Sequence, residues 1–169
     1  AENALNGVRH GGVRRLVYIS CADVTLSDQD RIHWDEARTL TGLPLGPLAR
    51  SLLMAEELLL ACSDARTEVV ALRPARLWGE GDVQGIARLF QEGGTAGLRL
   101  YSGGRNLVAT THIATLCDAA LAAATAGSCV GAAFYVTDGE FLEAREFYGH
   151  LSVALGLPPP RLGQPYLVG

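Results

Sequence analysis

The stretch Gly12-Val13-Arg14-Arg15-Leu16-Val17-Tyr18-Ile19-Ser20 places a short apolar run directly after a pair of glycines. The run at residues 16–19 has no polar alternation, which is typical of a strand covered on both faces in a parallel sheet. Residues 1–11 predict the last turns of a helix, because Gly11 and Gly12 favour the backbone conformation of a helix C-terminus. A helix followed by a buried strand indicates an α/β fold.

The rest of the chain continues this alternation. Helices are predicted over 46–62, 86–90, 113–126 and 141–155, strands over 69–72, 98–101, 107–110 and 132–137, and a polar loop over 25–44. Strands separated by helices favour a mainly parallel sheet.

The composition excludes several classes of protein. Of the 169 residues, 49% are hydrophobic and 19% charged, which indicates an ordered globular chain. A net charge of −4 disfavours nucleic acid as a partner. No apolar run reaches the roughly 18 residues of a membrane span, so a soluble chain is predicted. Four cysteines without CxxC spacing predict free thiols in the cytoplasm or another reducing compartment.

The helix predicted over residues 46–62 is apolar around most of its surface. One face carries Leu48, Leu52, Ala55, Leu59 and Cys62, and Leu45, Ala49, Leu53, Met54, Leu58 and Leu60 widen it. Only Arg50, Ser51, Glu56 and Glu57 remain for water. We therefore expect cover on two sides, by a sheet and by a second subunit, a partner chain or another layer of the same chain.

Four motifs in order resemble the extended short-chain dehydrogenase/reductases, nearest to the 3β-hydroxysteroid dehydrogenase/isomerase group. They are the strand at residues 12–20, then Ser51 with Ala55-Glu56, then Leu72-Arg73-Pro74 with Trp78-Gly79-Glu80-Gly81-Asp82, and last Gly131-Ala132-Ala133-Phe134-Tyr135-Val136-Thr137-Asp138-Gly139. The resemblance implies the C-terminal part of a Rossmann-like doubly wound parallel sheet with a small substrate-binding subdomain. Residues 1–74 would end the Rossmann core, and residues 75–169 would form mixed core and substrate-binding region.

The resemblance also implies NAD or NADP as cofactor. The family's glycine fingerprint, which binds the pyrophosphate, belongs to a first half that this sequence does not include. The run at residues 79–85 resembles that fingerprint but has its third glycine one residue late. Pro74, Ala75, Arg76 and Leu77 occupy the family segment whose backbone passes the nicotinamide. Because the sequence begins at Ala1, we expect upstream residues, and targeting stays open.

The family's catalytic Ser or Thr, Tyr and Lys align with Cys21, Leu48 and Leu52. All 14 positive residues are Arg, so the chain contains no Lys at any position. Neither Leu has an exchangeable proton, and we expect both to be helix core. The sequence therefore predicts a catalytically inactive relative with a binding or assembly role, for which a small hydrophobic ligand is one candidate partner.

Other hypotheses about the function remain at this point. One is an active NAD(P)-dependent oxidoreductase on a sterol-like or other secondary alcohol or ketone, with catalytic groups supplied from outside the chain or by Cys21 and water. Another is a truncated product with no independent role. Ser20 is expected to bond to nearby backbone, and His112 to be structural. His33, Asp35 and Glu36 are expected to form a solvated charge group rather than a metal site.

Overall fold

The computed structural model describes residues 1–27, 35–36, 44–82, 85–93 and 98–163. Its helices and strands, in chain order, are α1 (Glu2–His10), β1 (Arg15–Ile19), α2 (Pro47–Ala61), β2 (Glu68–Pro74), β3 (Arg76–Trp78), α3 (Ile86–Gly93), β4 (Arg99–Leu100), β5 (Leu107–His112), α4 (Ile113–Thr125), β6 (Ala133–Val136), β7 (Phe141–Glu143), α5 (Ala144–Ala154) and β8 (Arg161–Leu162). The chain forms two compact units. The first comprises Ala1–Ala75 and Ala114–Val136, and the second comprises Arg76–Ile113 and Thr137–Gly169.

The first unit contains a parallel sheet in the order β1-β2-β6. Alternate residues of β2 face its two sides: Val69 packs with Leu5 and Leu59, whereas Val70 packs with Leu116 and Ala123. Helices α1 and α2 therefore cover one face and α4 the other. This arrangement explains the continuous apolar runs, because a strand buried on both faces needs no polar alternation. The prediction of an α/β fold with a parallel sheet is confirmed.

The second unit contains a small mixed sheet and a strand pair. Strand β3 lies parallel to β5, β7 lies antiparallel to it, and β4 pairs with β8. The buried core of this unit consists of Ile86, Phe90, Leu100, Ala144, Phe147 and Tyr148. Within the described ranges, no helix is both long enough and apolar enough to cross a bilayer.

The structure adds the short strands β3 and β8, which were not predicted, and it moves the start of the last helix. Residues 141–143 form strand β7, and the helix predicted from residue 141 begins at Ala144. The reason is a capping box, in which the side chains of Glu143 and Glu146 bond to each other's backbone N–H groups and end the strand at that point. Most of the loop predicted over 25–44 lies outside the described residues.

Candidate functional site

Ser20 and Cys21 follow β1 at the carboxyl edge of the first unit's sheet. The Ser20 backbone N–H donates to the Leu72 carbonyl at 2.7 Å and so extends the ladder with β2. The Ser20 side chain is only 7% exposed, and no described residue bonds to its hydroxyl. The expectation that this hydroxyl bonds to nearby backbone is therefore wrong. The Cys21 sulfur accepts from the backbone N–H of Asp23 at 3.5 Å and caps a 3₁₀ turn.

Leu48 and Leu52, the other two family positions, lie on α2. The buried residues of this helix are Ala49, Leu53, Glu56 and Leu59. Leu48 is 73% exposed and Leu52 is half-buried. The prediction that both leucines are core is therefore wrong for Leu48. An almost wholly apolar helix has several faces that could be buried, so periodicity alone could not define its rotation.

Glu56 faces the sheet, although the sequence placed it among the residues that face water. Its side chain is 1% exposed, and its two carboxylate oxygens each accept from Arg73 Nε at 3.1 Å. Burial acts to lower the pKa of Arg73, but hydrogen bonds and the charge of Glu56 outweigh it and raise that pKa above its usual range. Both charges are therefore paired inside the first unit. One feature of the sequence could have indicated that these two residues matter: Glu56 and Arg73 each belong to one of the motifs that carry the family resemblance.

Tyr135 extends this polar cluster on β6. It lies beside Arg73 in the sheet register, and the Arg73 guanidinium carbon is 5.4 Å from the centre of its ring. The Tyr135 hydroxyl donates to Thr25 Oγ1 at 2.7 Å, and its backbone N–H donates to a Glu36 carboxylate oxygen at 2.7 Å. The phenol's only proton is therefore engaged with a neighbouring hydroxyl. His33, expected beside Glu36 in a charge group, lies outside the described residues.

In the described part of the glycine-rich turn before α3, an acidic side chain takes the N-terminus of the helix. The Asp82 carboxylate accepts from the backbone N–H groups of Gly85 and Ile86 at 2.6 and 2.7 Å, so the helix N-terminus already has an anion. A Cβ atom at Gly79 would lie 3.0 Å from the His112 ring, which means that this glycine permits close packing. The ring of His112 also packs edge-on against Trp78, with 4.7 Å between centroids.

Asp138 is the main polar contact point of the second unit. Its carboxylate accepts from Trp78 Nε1 and Thr110 Oγ1, both at 2.9 Å, and from the His112 backbone N–H at 2.8 Å. These bonds connect the loop after β6 to β3 and β5.

The segment predicted to contact the nicotinamide is divided between the two units. Pro74 and Ala75 belong to the first unit, and the exposed Arg76 and Leu77 belong to the second.

Across the ranges that the structure describes, no three His, Cys, Asp or Glu side chains come together in a way that could ligate a metal ion. None of the four cysteines forms a disulfide, and Cys117 is exposed.

Comparison with known proteins defines the class to which this fold belongs. The dTDP-glucose 4,6-dehydratase DesIV from Streptomyces venezuelae, solved with NAD bound, superposes with a TM-score of 0.70 at 27% identity, over 95% of this chain and 51% of that protein. The sequence also matches the 3-beta hydroxysteroid dehydrogenase/isomerase family over residues 1–163. The chain belongs to this family of short-chain dehydrogenase/reductases.

Two curated relatives carry the names of reductases. A 2-alkyl-3-oxoalkanoate reductase from Stenotrophomonas maltophilia is 35% identical over 93% of this chain and 49% of its own length. A 4-hydroxy-2-methyl-3-oxo-4-farnesyl-3,4-dihydroquinoline-1-oxide ketoreductase from Stigmatella aurantiaca is 30% identical over 86% of this chain and 43% of its own length. The chain thus spans about half the length of the curated relatives that it matches.

Proposed function

We propose that this chain is a catalytically inactive member of its family that acts through binding or assembly. The observation that carries the proposal is the residue set at the family's three catalytic positions, Cys21, Leu48 and Leu52. Proton transfer to or from a substrate oxygen needs a group with an exchangeable proton, and neither leucine has one. With no Lys among the 169 residues, no ε-ammonium group of this chain can take that role at a neighbouring position.

Three polar side chains near these positions have other partners, whereas the buried Ser20 hydroxyl has none among the described residues. Arg50 Nε donates to the Pro44 carbonyl at 2.9 Å, and the Arg73 guanidinium is paired with Glu56. A guanidinium stays protonated near neutral pH and exchanges no proton with a substrate. The phenol of Tyr135 donates to Thr25. These contacts support a structural use of the cluster rather than a catalytic one.

The family's cofactor would be NAD or NADP, which supplies or accepts hydride at its nicotinamide when bound. The described residues do not fit its pyrophosphate: Asp82 occupies the N-terminus of the helix that follows the glycine-rich turn, and a second anion there would be repelled. Cofactor binding would therefore depend on residues outside this sequence. Contact of the nicotinamide with Pro74, Ala75, Arg76 and Leu77 stays a prediction.

A second candidate function is an active reductase whose acid and base come from outside this chain. The 35% identity to a protein named as a 2-alkyl-3-oxoalkanoate reductase favours it. Cys21 is the one residue of the three with an ionisable proton, so in another form of this candidate Cys21 and water transfer the proton. The two candidates make opposite predictions about turnover.

The deciding experiment uses the protein at its natural length. Binding of NADH and NADPH is followed by nucleotide fluorescence, and turnover is assayed with a 2-alkyl-3-oxoalkanoate and a 3β-hydroxysteroid. We expect no turnover, and we expect the variant Cys21→Ser/Leu48→Tyr/Leu52→Lys to gain it if cofactor binds. Turnover by the unmodified protein would overturn the proposal. In that event Cys21→Ala separates the two forms of the alternative, because unchanged turnover would remove the form that uses the thiol.

A further inference from the structure

Two arginines lie directly opposite each other in the strand pair of the second unit. Strands β4 and β8 are parallel, and Arg99 is the register partner of Arg161. Leu100, the next residue of β4, is 8% exposed and belongs to the core of the unit. Because neighbouring residues of a strand point to opposite faces, both arginines lie on the outer face of the pair, and both are exposed. This face therefore carries two adjacent positive charges.

The protein does not neutralise these two charges within its described part. No described residue forms an ion pair or a side-chain hydrogen bond with Arg99 or Arg161. The sequence explains this: residues 98–117 and 147–169, which contain the two strands, include no Asp or Glu, although the chain has 18 acidic residues and a net charge of −4. Like charges directly opposite each other in a strand pair are destabilising. The arrangement therefore indicates that an anion from outside the chain lies between them.

The Arg99 side chain extends across β8 at the carboxyl end of the pair. A Cβ atom placed on Gly163 would lie 3.4 Å from Arg99 Nε and 3.8 Å from its Cγ. A glycine at this position thus lets the arginine lie across the partner strand, on the face that also carries Arg161. Backbone bonds from Gly163 N–H to the Leu100 carbonyl at 2.7 Å and from Gly103 N–H to the Gly163 carbonyl at 3.3 Å hold the two strands together there.

We propose that this face binds a phosphate group, which the guanidinium groups of Arg99 and Arg161 hold between them. A guanidinium presents its N–H groups as a planar fork that matches two oxygens of a phosphate, and one phosphate has enough oxygens for two such forks. A phosphate ester carries nearly two negative charges at neutral pH, which balance the two positive charges. The group is either the free ion or the phosphoryl group of a larger ligand, since both have this chemistry.

Tyr101 extends the same face beyond the arginines. Its backbone is extended, with φ −80° and ψ 162°, so its side chain lies on the same side as that of Arg99 two residues earlier. The side chain is 52% exposed. An aromatic ring beside the phosphate suits an ester with a ring of its own, because two rings can stack. The inference goes beyond the proposed function, since it involves none of the family's catalytic positions and stands whether or not turnover is found.

Calorimetric titration with inorganic phosphate tests the site in the protein at its natural length, with the ionic strength held constant by sodium chloride. We expect saturable binding of one phosphate per chain. Arg99→Ala and Arg161→Ala should each raise the dissociation constant at least roughly tenfold, because each removes one charge-assisted contact. The control is Arg14→Ala in the first unit: the Arg14 side chain is 76% exposed but has a Glu68 carboxylate oxygen 4.0 Å away, so the constant should not change.

A charge reversal tests the repulsion between the two arginines. In phosphate-free buffer Arg161→Glu should have a higher thermal midpoint than the unmodified protein, because an ion pair with Arg99 replaces two like charges. Phosphate should raise the midpoint of the unmodified protein and leave that of the variant unchanged, since only the former binds it. A variant that phosphate stabilises as much as the unmodified protein would contradict the assigned site.

Phenyl phosphate identifies the source of the phosphate group. Tighter binding of phenyl phosphate than of inorganic phosphate, with the difference lost in Tyr101→Ala, supports an ester as the ligand, whereas equal affinity supports the free ion. The absence of saturable binding for both probes overturns the proposal. Binding that Arg99→Ala and Arg161→Ala both leave unchanged overturns it as well. Circular dichroism verifies that each variant is folded.

Discussion

Glu56 on α2 and Arg73 on β2 form a buried ion pair across the interface between helix and sheet, with both carboxylate oxygens 3.1 Å from Arg73 Nε. The contact sets which side of α2 faces the sheet. Because a buried charge without its partner is very costly, only one rotation of the helix satisfies both residues. The same rotation of the helix turns Leu48 and Met54 toward solvent.

Removing one member of this pair should destabilise the first unit strongly. Glu56→Ala leaves the Arg73 guanidinium buried without its anion, so we expect the free energy of unfolding to fall by about 3–5 kcal/mol. The matched control is Glu57→Ala on the exposed side of the same helix, which should change it by less than about 0.5 kcal/mol. Urea-induced unfolding measures both. Glu56→Leu/Arg73→Met should recover most of the loss, and a Glu56→Ala variant as stable as the control would contradict this account.

We expect that removing the Ser20 hydroxyl, which has no partner among the described residues, raises the free energy of unfolding. Ser20→Ala removes a buried polar atom that has no hydrogen-bond partner among the described residues, so the free energy of unfolding should rise by about 1 kcal/mol. Thr25→Val is the control: it should destabilise by a similar amount, because the Thr25 hydroxyl accepts from Tyr135 and donates to the Ala22 carbonyl. Thermal unfolding compares the two variants. Clear destabilisation by Ser20→Ala would mean that this hydroxyl has a partner after all.

Asp138 should be the most sensitive polar residue of the second unit. Asp138→Ala leaves three donors without their acceptor, and we expect a loss of about 2–4 kcal/mol in the free energy of unfolding. The emission of Trp78 should change as well, since its indole N–H loses its bond, and a Trp34→Phe background isolates that signal. Glu140→Ala, exposed two residues further on, should have neither effect. Unaltered emission in Asp138→Ala would contradict the assigned contact.

Because the phenol of Tyr148 is buried, we expect the protein to lose stability at alkaline pH. Burial raises its pKa, and the positive charge of Arg76 opposes the change only in part. The folded state thus holds the phenolic proton more tightly than the unfolded state. The resulting stabilisation is present below the unfolded pKa of about 10 and is lost as the pH rises through the folded value. Thermal midpoints between about pH 8 and 11 should fall more steeply for the unmodified protein than for Tyr148→Phe. Parallel curves would show that this phenol makes no contribution.

Local patterns predicted most of the first unit. The helix expected over 46–62 is Pro47–Ala61, and the strand expected over 69–72 is the centre of Glu68–Pro74. Both predictions depend on features that neighbours in sequence define: a proline in the first turn of the helix, the helical spacing of its apolar residues, and the unbroken apolar run of the strand. The start of α5 was placed three residues early because β7 is too short to show alternation. The quoted motifs indicated the family before any coordinates were considered.

The candidate site, like the fold, was only partly predictable from the sequence. The residue types at Cys21, Leu48 and Leu52 follow from the sequence, and they carry the proposal that this chain is inactive. Their surroundings do not follow from it: the burial of Glu56, the exposure of Leu48 and the lack of a described partner for the Ser20 hydroxyl depend on contacts between residues far apart in the chain. Trp78 and Asp138, 60 positions apart, are an example from the second unit.

Sequence alone therefore determined the family, the parallel sheet and the order of the longer helices and strands, because backbone propensities and apolar periodicity act between near neighbours. The short strands β3, β7 and β8 were not predicted. Tertiary structure decided which side of α2 is buried and which polar side chains have partners. Those outcomes depend on a balance between the cost of removing charges and hydroxyls from water and the bonds that distant residues supply. That balance exists only after the chain has folded.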